Sequence, residues 1–247
     1  MERCEMTTIE GRNPVFEAIM ADRPIEKIYI SAKSGGSQIT KIINAAKEKG
    51  VPFKTLPPER IDEIAKTESN QGVVAICAEV SYSTVEDILN RAEEKGESPF
   101  IIIADEITDP HNLGAIIRTA NAVGVHGVII PKNRSAGINP VVLKTSAGAA
   151  NYTPVARVGN LGQTIEFLKK QGVWITGADM AGDKEMCDSD LKGPLAIVVG
   201  SEGKGISKKI KESCDFLVRI PMVGEINSLN ASVAAAVLMY EALRQRR

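Results

Sequence analysis

The pattern of apolar and polar positions along residues 7–80 predicts strands that alternate with helices. Short apolar runs predict the strands, and segments in which apolar residues recur every three or four positions predict the helices. Asn13 followed by Pro14 favours a helix start, because the amide can cap the helix and proline suits the first turn. The predicted strands are KIYIS, VPFKTL and GVVAICAEV, and the predicted helices are PVFEAIMA, QITKIINAAKEKG and PPERIDEIAK. Residues 1–80 are therefore predicted to form a small α/β domain.

Residues 81–98 are polar and charged, and they predict a linker with at most one short helix, capped by Thr84. Over residues 99–247 the alternation of strands and helices resumes. Runs that are apolar throughout, such as FIIIA and LAIVV, are typical of parallel sheets covered by helices on both faces. The predicted strands are PFIIIADEI, GVIIP, PVARV, VWITGAD, LAIVVG and FLVRIP, and the helices are NLGAIIRTANAVG, NPVVLKTSAGAA, LGQTIEFLKKQG, ISKKIKESC and a long one from about Ser228. The second part is therefore predicted to be an α/β domain with a mostly parallel sheet.

The charge of the chain is nearly balanced, with 30 Lys and Arg residues against 31 Asp and Glu residues. The balance also holds within residues 1–80, which carry 11 basic and 12 acidic residues. Any nucleic-acid binding must therefore come from a local patch rather than from a basic domain. One candidate patch in the first domain consists of Arg12, Arg23, Lys27 and Lys33, although each could equally be a solvated surface charge.

Cysteine and histidine usage indicates neither a metal centre nor an oxidising compartment. The cysteines at 4, 77, 187 and 214 form no CxxC motif, and His111 and His126 have no metal-ligand spacing. We therefore expect no metal, reduced thiols and a cytoplasmic location. No window approaches the roughly 18 apolar residues of a membrane span, and no secretory signal pattern is present, so we expect neither insertion into a membrane nor export.

Three loops that follow predicted strands carry polar residues where open parallel sheets usually bind ligands, at the carboxyl ends of the strands. The first, TDPHNLGAIIRTANAVG, contains Asn112, Gly114 and Arg118. These residues could simply start a helix, with Asn112 as its cap and Arg118 on its surface. Alternatively, the guanidinium group of Arg118 could bind a phosphate or stabilise an oxygen that acquires negative charge.

The second loop, GSEGKGIS at 200–207, lacks both the GxxxxGK[ST] spacing of a P-loop and the GxGxxG spacing of a dinucleotide fold. Its Glu202 is either a solvated turn carboxylate or a functional acid.

The third loop opens the segment GEINSLNASVAAAVLMYEA, residues 224–241, where five polar side chains precede an apolar helix. Ser228 or Asn230 could cap that helix, but one cap leaves the other polar groups in need of partners. These five side chains are Glu225, Asn227, Ser228, Asn230 and Ser232.

The motifs NLGxxxR, GSEGKGIS and IPMxGxxxSLNxSVAAAVLxYEA, in this order, resemble those of the SpoU (TrmH-like) family of RNA ribose 2′-O-methyltransferases. The leading GRNPVFEAI, followed by a small α/β domain, is similar to the substrate-binding domain of the RlmB-like branch, which methylates a guanosine of 23S rRNA. The resemblance covers essentially the whole chain, as a substrate-binding domain (1–80), a linker (81–98) and a catalytic domain (99–247). It implies methylation of ribosomal RNA, with tRNA methylation or a non-catalytic role in ribosome assembly as alternatives.

The resemblance further implies a C-terminal deep trefoil knot, S-adenosyl-L-methionine as cofactor, RNA as substrate and a homodimer that builds the active site. Backbone around Gly200, Ile220 and Leu229 would hold the cofactor. Arg118 would act on the ribose hydroxyl, either as a base or as a cation that stabilises negative charge. Lys204 and residues 132–137 are further candidates for RNA contacts. The catalytic residues implied by the family motifs are Asn112, Arg118, Glu202, Ser228 and Asn230.

Overall fold

A computed structural model of the protein describes residues 6–20, 23, 25–65, 67, 69–78, 82–225 and 228–247. The chain divides into two compact units. The first comprises Met1–Ser81 together with Gly137–Val141, and the second comprises Tyr82–Ala136 together with Val142–Arg247. Cys4 and Asn227, which the sequence analysis considered, lie outside the described residues.

The first unit contains a four-stranded sheet in the order β1-β4-β2-β3. Strand β4 pairs antiparallel with both β1 and β2, whereas β2 and β3 are parallel. Its core is formed by apolar side chains of the strands and of α1 and α2, including Val15, Ile28 and Ile42. The elements are β1 (Met6–Glu10), α1 (Arg12–Met20), β2 (Ile25–Ser31), α2 (Ser37–Glu48), β3 (Phe53–Leu56), α3 (Pro58–Ile64) and β4 (Val73–Ala78).

Two features of the first unit differ from the sequence prediction. The pattern did not predict β1, because MTTIE has a mostly polar pattern, as is common in strands at the edge of a sheet. Helix α1 begins at Arg12, so Asn13 lies within its first turn, where its side-chain oxygen accepts a hydrogen bond from the Gln38 amide. The prediction that Asn13 caps this helix was wrong by about two positions, a usual uncertainty at helix ends.

The second unit contains a seven-stranded sheet in the order β7-β6-β5-β10-β8-β11-β9. All its strand pairs are parallel, which confirms the predicted sheet type. The elements are α4 (Val85–Glu94), β5 (Phe100–Ala104), α5 (Pro110–Ala122), β6 (Gly127–Pro131), α6 (Pro140–Thr145), β7 (Val155–Val158), α7 (Leu161–Lys170), β8 (Trp174–Ala178), β9 (Lys184–Glu185), β10 (Leu195–Val199), α8 (Lys208–Glu212), β11 (Phe216–Arg219) and α9 (Ala231–Arg246). The first two residues of α6 belong to the first unit.

Two central strands of this sheet are buried along their whole length, as their apolar runs predict. Every residue of β5 and of β10 is buried, and the two strands pair in register from Phe100 with Leu195 to Ala104 with Val199. Helices α5 and α9 pack against each other. The deep trefoil knot stays a prediction, because strand order alone does not specify how a chain threads. Among the described residues, no helix has the length and apolar character needed to cross a membrane.

The segment predicted as a linker, 81–98, contains helix α4, which belongs to the core of the second unit. Thr84 caps it as predicted: its hydroxyl accepts from the Asp87 N–H at 3.1 Å, and the Asp87 carboxylate accepts from the Thr84 N–H at 2.8 Å. Ile88 is fully buried and lies so close to Gly127 that a Cβ there would come within 2.4 Å of it. Part of the predicted linker is therefore integral to the second unit.

His126, directly before β6, is a buried histidine whose neutral form the structure favours. Its side chain is 1% exposed, its Nδ1 accepts the Phe100 N–H at 3.0 Å, and its Nε2 lies 3.0 Å from Glu97 Oε2. Because Nδ1 is an acceptor, the neutral ring must carry its proton on Nε2 and donate it to Glu97. Burial lowers the pKa of His126 below its usual value, and the neighbouring Glu97 only partly opposes this effect.

We expect His126 to make the fold more sensitive to acid. Because its pKa is lower in the folded state, the unfolded chain takes up the proton more readily between that value and about 6.5. The stabilising contribution of His126 to the free energy of unfolding is therefore fully present above about pH 6.5 and is lost as the pH falls below that value. In urea unfolding at pH 7.5 and pH 5, the free energy of unfolding should fall less for His126→Asn than for the wild type. An equal fall in both proteins would contradict this assignment.

Candidate functional site

Three loops meet at the carboxyl edge of the sheet in the second unit. The first follows β5 and leads into α5, the second follows β10, and the third runs from β11 to α9. Strands β5 and β10 are neighbours, and β11 is separated from β10 only by β8. Since all these strands are parallel, their carboxyl ends share one edge, as the sequence analysis expected.

At this edge Asn112, Glu202 and Asn230 form a hydrogen-bonded group that we call the amide–carboxylate cluster. Asn112 lies in the first turn of α5, Glu202 in the second loop and Asn230 at the end of the third. Asn112 Nδ2 donates to Glu202 Oε1 at 2.8 Å, and Asn230 Nδ2 donates to Asn112 Oδ1 at 2.9 Å. Asn230 Nδ2 also donates to Glu202 Oε1. Residues separated by 90 and 118 positions are thus joined through their side chains.

Asn230 links this cluster to the first turn of α9. Its Oδ1 accepts from the backbone N–H groups of Ser232 at 2.9 Å and Val233 at 3.3 Å, so it is the N-cap of the helix. Because Oδ1 is used by these donors, the Nδ2 group must face Glu202 and Asn112. One side chain therefore caps the helix and contacts the site. The long helix begins at Ala231 rather than at Ser228 as predicted, and Ser228 is not its cap.

The glycine-rich loop, residues 200–207, is closed on itself and held at its end. The backbone groups of Ser201 and Gly205 exchange hydrogen bonds of 3.1 and 2.9 Å. A Cβ at Gly200 would lie 2.0 Å from the carbonyl carbon of Gly205, so this approach requires glycine. Asp105, only 4% exposed, accepts the Ser207 N–H at 2.8 Å. The loop that carries Glu202 is therefore fixed by backbone contacts.

Sequence reasoning missed two aspartates that shape the site. Asp105 follows β5 directly, and its burial was not evident from the polar motif around it. Asp109, not Asn112, caps α5, because its carboxylate accepts the His111 N–H at 2.9 Å. The signal for Asp109 was present in the sequence: an N-cap residue followed by proline at the first helical position. Freed from capping, the Asn112 side chain contacts Glu202 instead.

Beside the cluster lies a cavity of about 320 Å³, which we call the sheet-edge cavity. Its walls come from the ends of β8, β10 and β11 and from the start of α9. Most of the lining is apolar side chain and glycine backbone, with the carboxylates of Asp179 and Glu202 and the ammonium group of Lys204 as charged members. The predicted residues that line the cavity are Gly200, Glu202, Ile220, Ser228 and Leu229.

Arg118 stands apart from the amide–carboxylate cluster. It is exposed on α5, six residues beyond Asn112 and hence on a different face of the helix. Within the described part of the chain, no hydrogen bond or ion pair joins it to Glu202, whose Oε1 receives the amides of Asn112 and Asn230 instead. Arg118 and Glu202 are therefore not joined within one chain in this structure.

The loop after β6, which the sequence analysis considered for RNA contacts, is tied to the loop after β5. Arg134 Nη1 lies 2.8 Å from Glu106 Oε1, and the Ala136 N–H donates to the Ile107 carbonyl at 2.8 Å. Both Glu106 and Arg134 adopt left-handed backbone conformations, with φ of 55° and 57°. Arg134 thus pairs with Glu106 while its side chain stays 81% exposed. Lys204 lies at the wall of the sheet-edge cavity.

Two family models match the chain. The model described as the SpoU rRNA Methylase family matches residues 99–240, and the model for RNA 2′-O ribose methyltransferase substrate binding matches residues 8–83. Among curated proteins, the chain is 45% identical over 236 residues to YacO of Bacillus subtilis, assigned to the TrmH family of tRNA/rRNA methyltransferases. That match covers 96% of this chain and 94% of YacO. A protein of Staphylococcus aureus that is assigned to the same TrmH family of tRNA/rRNA methyltransferases is also 45% identical to this chain. That match covers 98% of this chain and 97% of the relative.

Solved structures give the same grouping. The SpoU methyltransferase AviRb of Streptomyces viridochromogenes, in complex with the cofactor AdoMet, is 25% identical, with a TM-score of 0.63 and coverage of 97% of this chain and 90% of AviRb. The TrmH/SpoU tRNA modifying enzyme of A. aeolicus is 30% identical with a TM-score of 0.56, covering 64% of this chain and 83% of that enzyme. With a family model over more than half of its length and relatives 45% identical along almost all of it, the chain belongs to the SpoU family of RNA methyltransferases.

Proposed function

We propose that this enzyme transfers a methyl group from S-adenosylmethionine to the 2′-hydroxyl of a guanosine ribose in 23S rRNA. The observation that carries the proposal is the amide–carboxylate cluster beside the sheet-edge cavity, which places polar groups next to room for a cofactor. Membership of the family supports the reaction type. The resemblance of GRNPVFEAI and the small α/β domain after it to the RlmB-like branch supports the guanosine target.

The sheet-edge cavity suits S-adenosylmethionine in size and chemistry. About 320 Å³ lies within the range of small-molecule sites. Apolar walls that include Ile220 and Leu229 suit an adenine ring, and the carboxylate of Glu202 suits a ligand that carries positive charge. The Asp179 carboxylate is already paired with Lys211 at 2.8 Å. The likeness to AviRb, which was crystallised with this cofactor, supports the same assignment. When bound, S-adenosylmethionine supplies an electrophilic methyl group.

The residues of the cluster would hold the ribose in place. Both amide donors reach Oε1 of Glu202, which leaves Oε2 to accept a hydrogen bond from a substrate hydroxyl. Because three loops share this group, a hydroxyl bound there would be fixed relative to the cavity wall. The guanidinium group of Arg118 offers a positive charge and a planar set of N–H donors, which suit a phosphate. We therefore assign it the role of a cation that binds the adjacent phosphate and stabilises the developing alkoxide.

We further propose that the enzyme is a homodimer in which Arg118 of one protomer serves the cluster of the other. Two observations support this: Arg118 is exposed and apart from the cluster, and α9 carries exposed apolar residues on one face. Val233 and Tyr240, 46% and 54% exposed, are seven residues apart and so point the same way.

We also propose the knotted path of the C-terminal segment and a cytoplasmic location. Cys77, Cys187 and Cys214 are free thiols, in keeping with that compartment.

The test is a map of 2′-O-methyl groups on total rRNA and tRNA from cells with and without the gene. We expect one guanosine mark of 23S rRNA to disappear with the gene and to return when the purified enzyme and S-adenosylmethionine are added. Loss of a tRNA mark would instead assign the substrate to tRNA, which the tRNA/rRNA descriptions of the relatives make the second candidate. An unchanged map would contradict the proposal and favour a non-catalytic role in ribosome assembly.

A further inference from the structure

A larger cavity, of about 600 Å³, lies in the first unit, and we call it the N-terminal cavity. It is bounded by the start of α1, the loop from β2 to α2, the start of α3 and the loop before β4. All its lining residues fall within residues 12–72 and hence inside the part of the chain that matches the substrate-binding family model. Its volume is that of a site for a molecule of nucleotide size.

Two cations, Arg12 and Lys33, line the N-terminal cavity. The Arg12 guanidinium donates to two neutral carbonyls, from Nε to Gln71 at 3.2 Å and from Nη1 to Gly35 at 3.4 Å. Lys33 is exposed at the cavity, and among the described residues neither cation forms an ion pair. The lining holds these two cations and the carboxylate of Asp62, which leaves a net positive charge that favours an anion. Lys27, by contrast, lies 5.8 Å from the ring of Tyr29.

The wall of the cavity is held in a strained conformation. Gln71 has a left-handed backbone with φ of 50°, which is uncommon for residues other than glycine, and Gly72 follows with φ of 73°. Arg12 holds this turn through its backbone N–H, which donates to Gln71 Oε1 at 3.2 Å, and through its guanidinium group. Asn70, 6% exposed, accepts the Gly72 N–H at 2.8 Å. Strained backbone that several contacts maintain is typical of ligand-binding sites.

The other lining groups supply a surface for a nucleotide base. Pro58 and Ile61 give an apolar wall. The Asp62 carboxylate accepts from Asn70 Nδ2 through Oδ1 at 3.1 Å, which leaves its Oδ2 available to a base edge. Helix α2 adds donors for an anion: it begins at Ser37 with Gly36 as N-cap and no side-chain cap, so its first backbone N–H groups are not satisfied by a cap.

We propose that the N-terminal cavity binds one unpaired nucleotide of the RNA substrate. Its phosphate would contact Arg12 and Lys33, and its base would lie against Pro58 and Ile61 with its edge at Asp62. Proteins recognise RNA sequence mainly through unstacked bases of loops and bulges, and a concave site for one nucleotide excludes a duplex. This inference rests on the proposed function, because it takes RNA as the substrate, and it names the RNA feature that the first unit recognises.

The test measures binding of the full-length protein to a mixed-sequence RNA of about 12 nucleotides and to the duplex formed with its complement, by fluorescence anisotropy. We expect the wild type to prefer the single strand. Lys33→Gln should weaken that binding about 5-fold and lower the slope of log affinity against log salt by about 0.7, the effect of one lost phosphate contact on a single strand. Arg12→Gln should weaken it further, because the variant also releases the Gln71 turn.

The matched control is Lys47→Gln, which removes one positive charge from the last turn of α2, away from the cavity. It should bind RNA as the wild type does. The inference is overturned if Lys33→Gln binds like the wild type, if Lys47→Gln loses as much affinity, or if the wild type binds the duplex as tightly as the single strand. The outcomes separate the two proposals. If the wild type methylates RNA and Lys33→Gln binds RNA as tightly as the wild type does, only the proposed nucleotide site is refuted. If the wild type does not methylate RNA, the proposed function is refuted.

Discussion

Asn230→Ser should lower the rate of methyl transfer by about 100-fold or more while leaving the free energy of unfolding nearly unchanged. Serine caps a helix about as well as asparagine, so the first turn of α9 keeps its acceptor. The variant loses the amide that donates to Asn112 at 2.9 Å and to Glu202. Glu202 then keeps the Asn112 amide but loses its second donor, so it is held less firmly. Small displacements of positioning groups cost about two orders of magnitude in rate. Single-turnover transfer of a labelled methyl group to RNA and urea unfolding would measure the two effects.

Asn230→Ala is the matched control, because it removes both the cap and the amide. It should lose activity to the same extent and also about 1 kcal/mol of stability. The pair of variants therefore separates the two functions of one side chain. If Asn230→Ser retained more than half of the wild-type rate, the amide–carboxylate cluster would not position the substrate. If it lost as much stability as Asn230→Ala, the cap would depend on the amide group, contrary to the contacts of Oδ1.

The parts of the fold that could be predicted are those fixed by local pattern. The fully apolar runs FIIIA and LAIVV became the buried, paired centre of the parallel sheet. Strands β1 and β9 were missed, since one is a mostly polar edge strand and the other has only two residues. Such strands are defined by pairing with a distant partner, and their own sequence carries little of that signal.

The candidate site was harder to derive, because its contacts join distant parts of the chain. Local reasoning could show that Asn230 stands at a helix start and that Glu202 sits in a glycine-rich loop. It could not show that these side chains meet Asn112, because the contact depends on three strands ending at one edge of the sheet. The resemblance to a family supplied the grouping. It did not supply Asp105, whose buried carboxylate fixes the end of the glycine-rich loop.

Arg118→Ala should abolish methyl transfer while leaving the free energy of unfolding and the cofactor affinity close to wild type. The side chain is exposed, and within the described part of the chain it makes no hydrogen bond or ion pair whose loss would destabilise the fold. Its proposed partners are the substrate phosphate and the developing alkoxide, so its loss should affect the transition state. Calorimetry with S-adenosylmethionine and single-turnover methylation would separate binding from chemistry. Retained turnover, or an equal loss in cofactor affinity, would contradict the assignment.

Mixing the two inactive variants tests whether Arg118 acts on its own chain or on a second one. A heterodimer of Arg118→Ala with Asn230→Ser has one site in which Asn230 comes from the first chain and Arg118 from the second. If the site combines two protomers, re-equilibrated mixtures should recover about a quarter of the wild-type activity, because about half of the dimers are mixed and one of their two sites is intact. If Arg118 serves the cluster of its own chain, every site lacks one residue and the mixture stays inactive. Recovery of activity would therefore explain why Arg118 and Glu202 of a single chain lie apart. If mixed dimers stayed inactive, Arg118 and Glu202 of one active site would come from the same chain, and α5 would have to rearrange to bring them together.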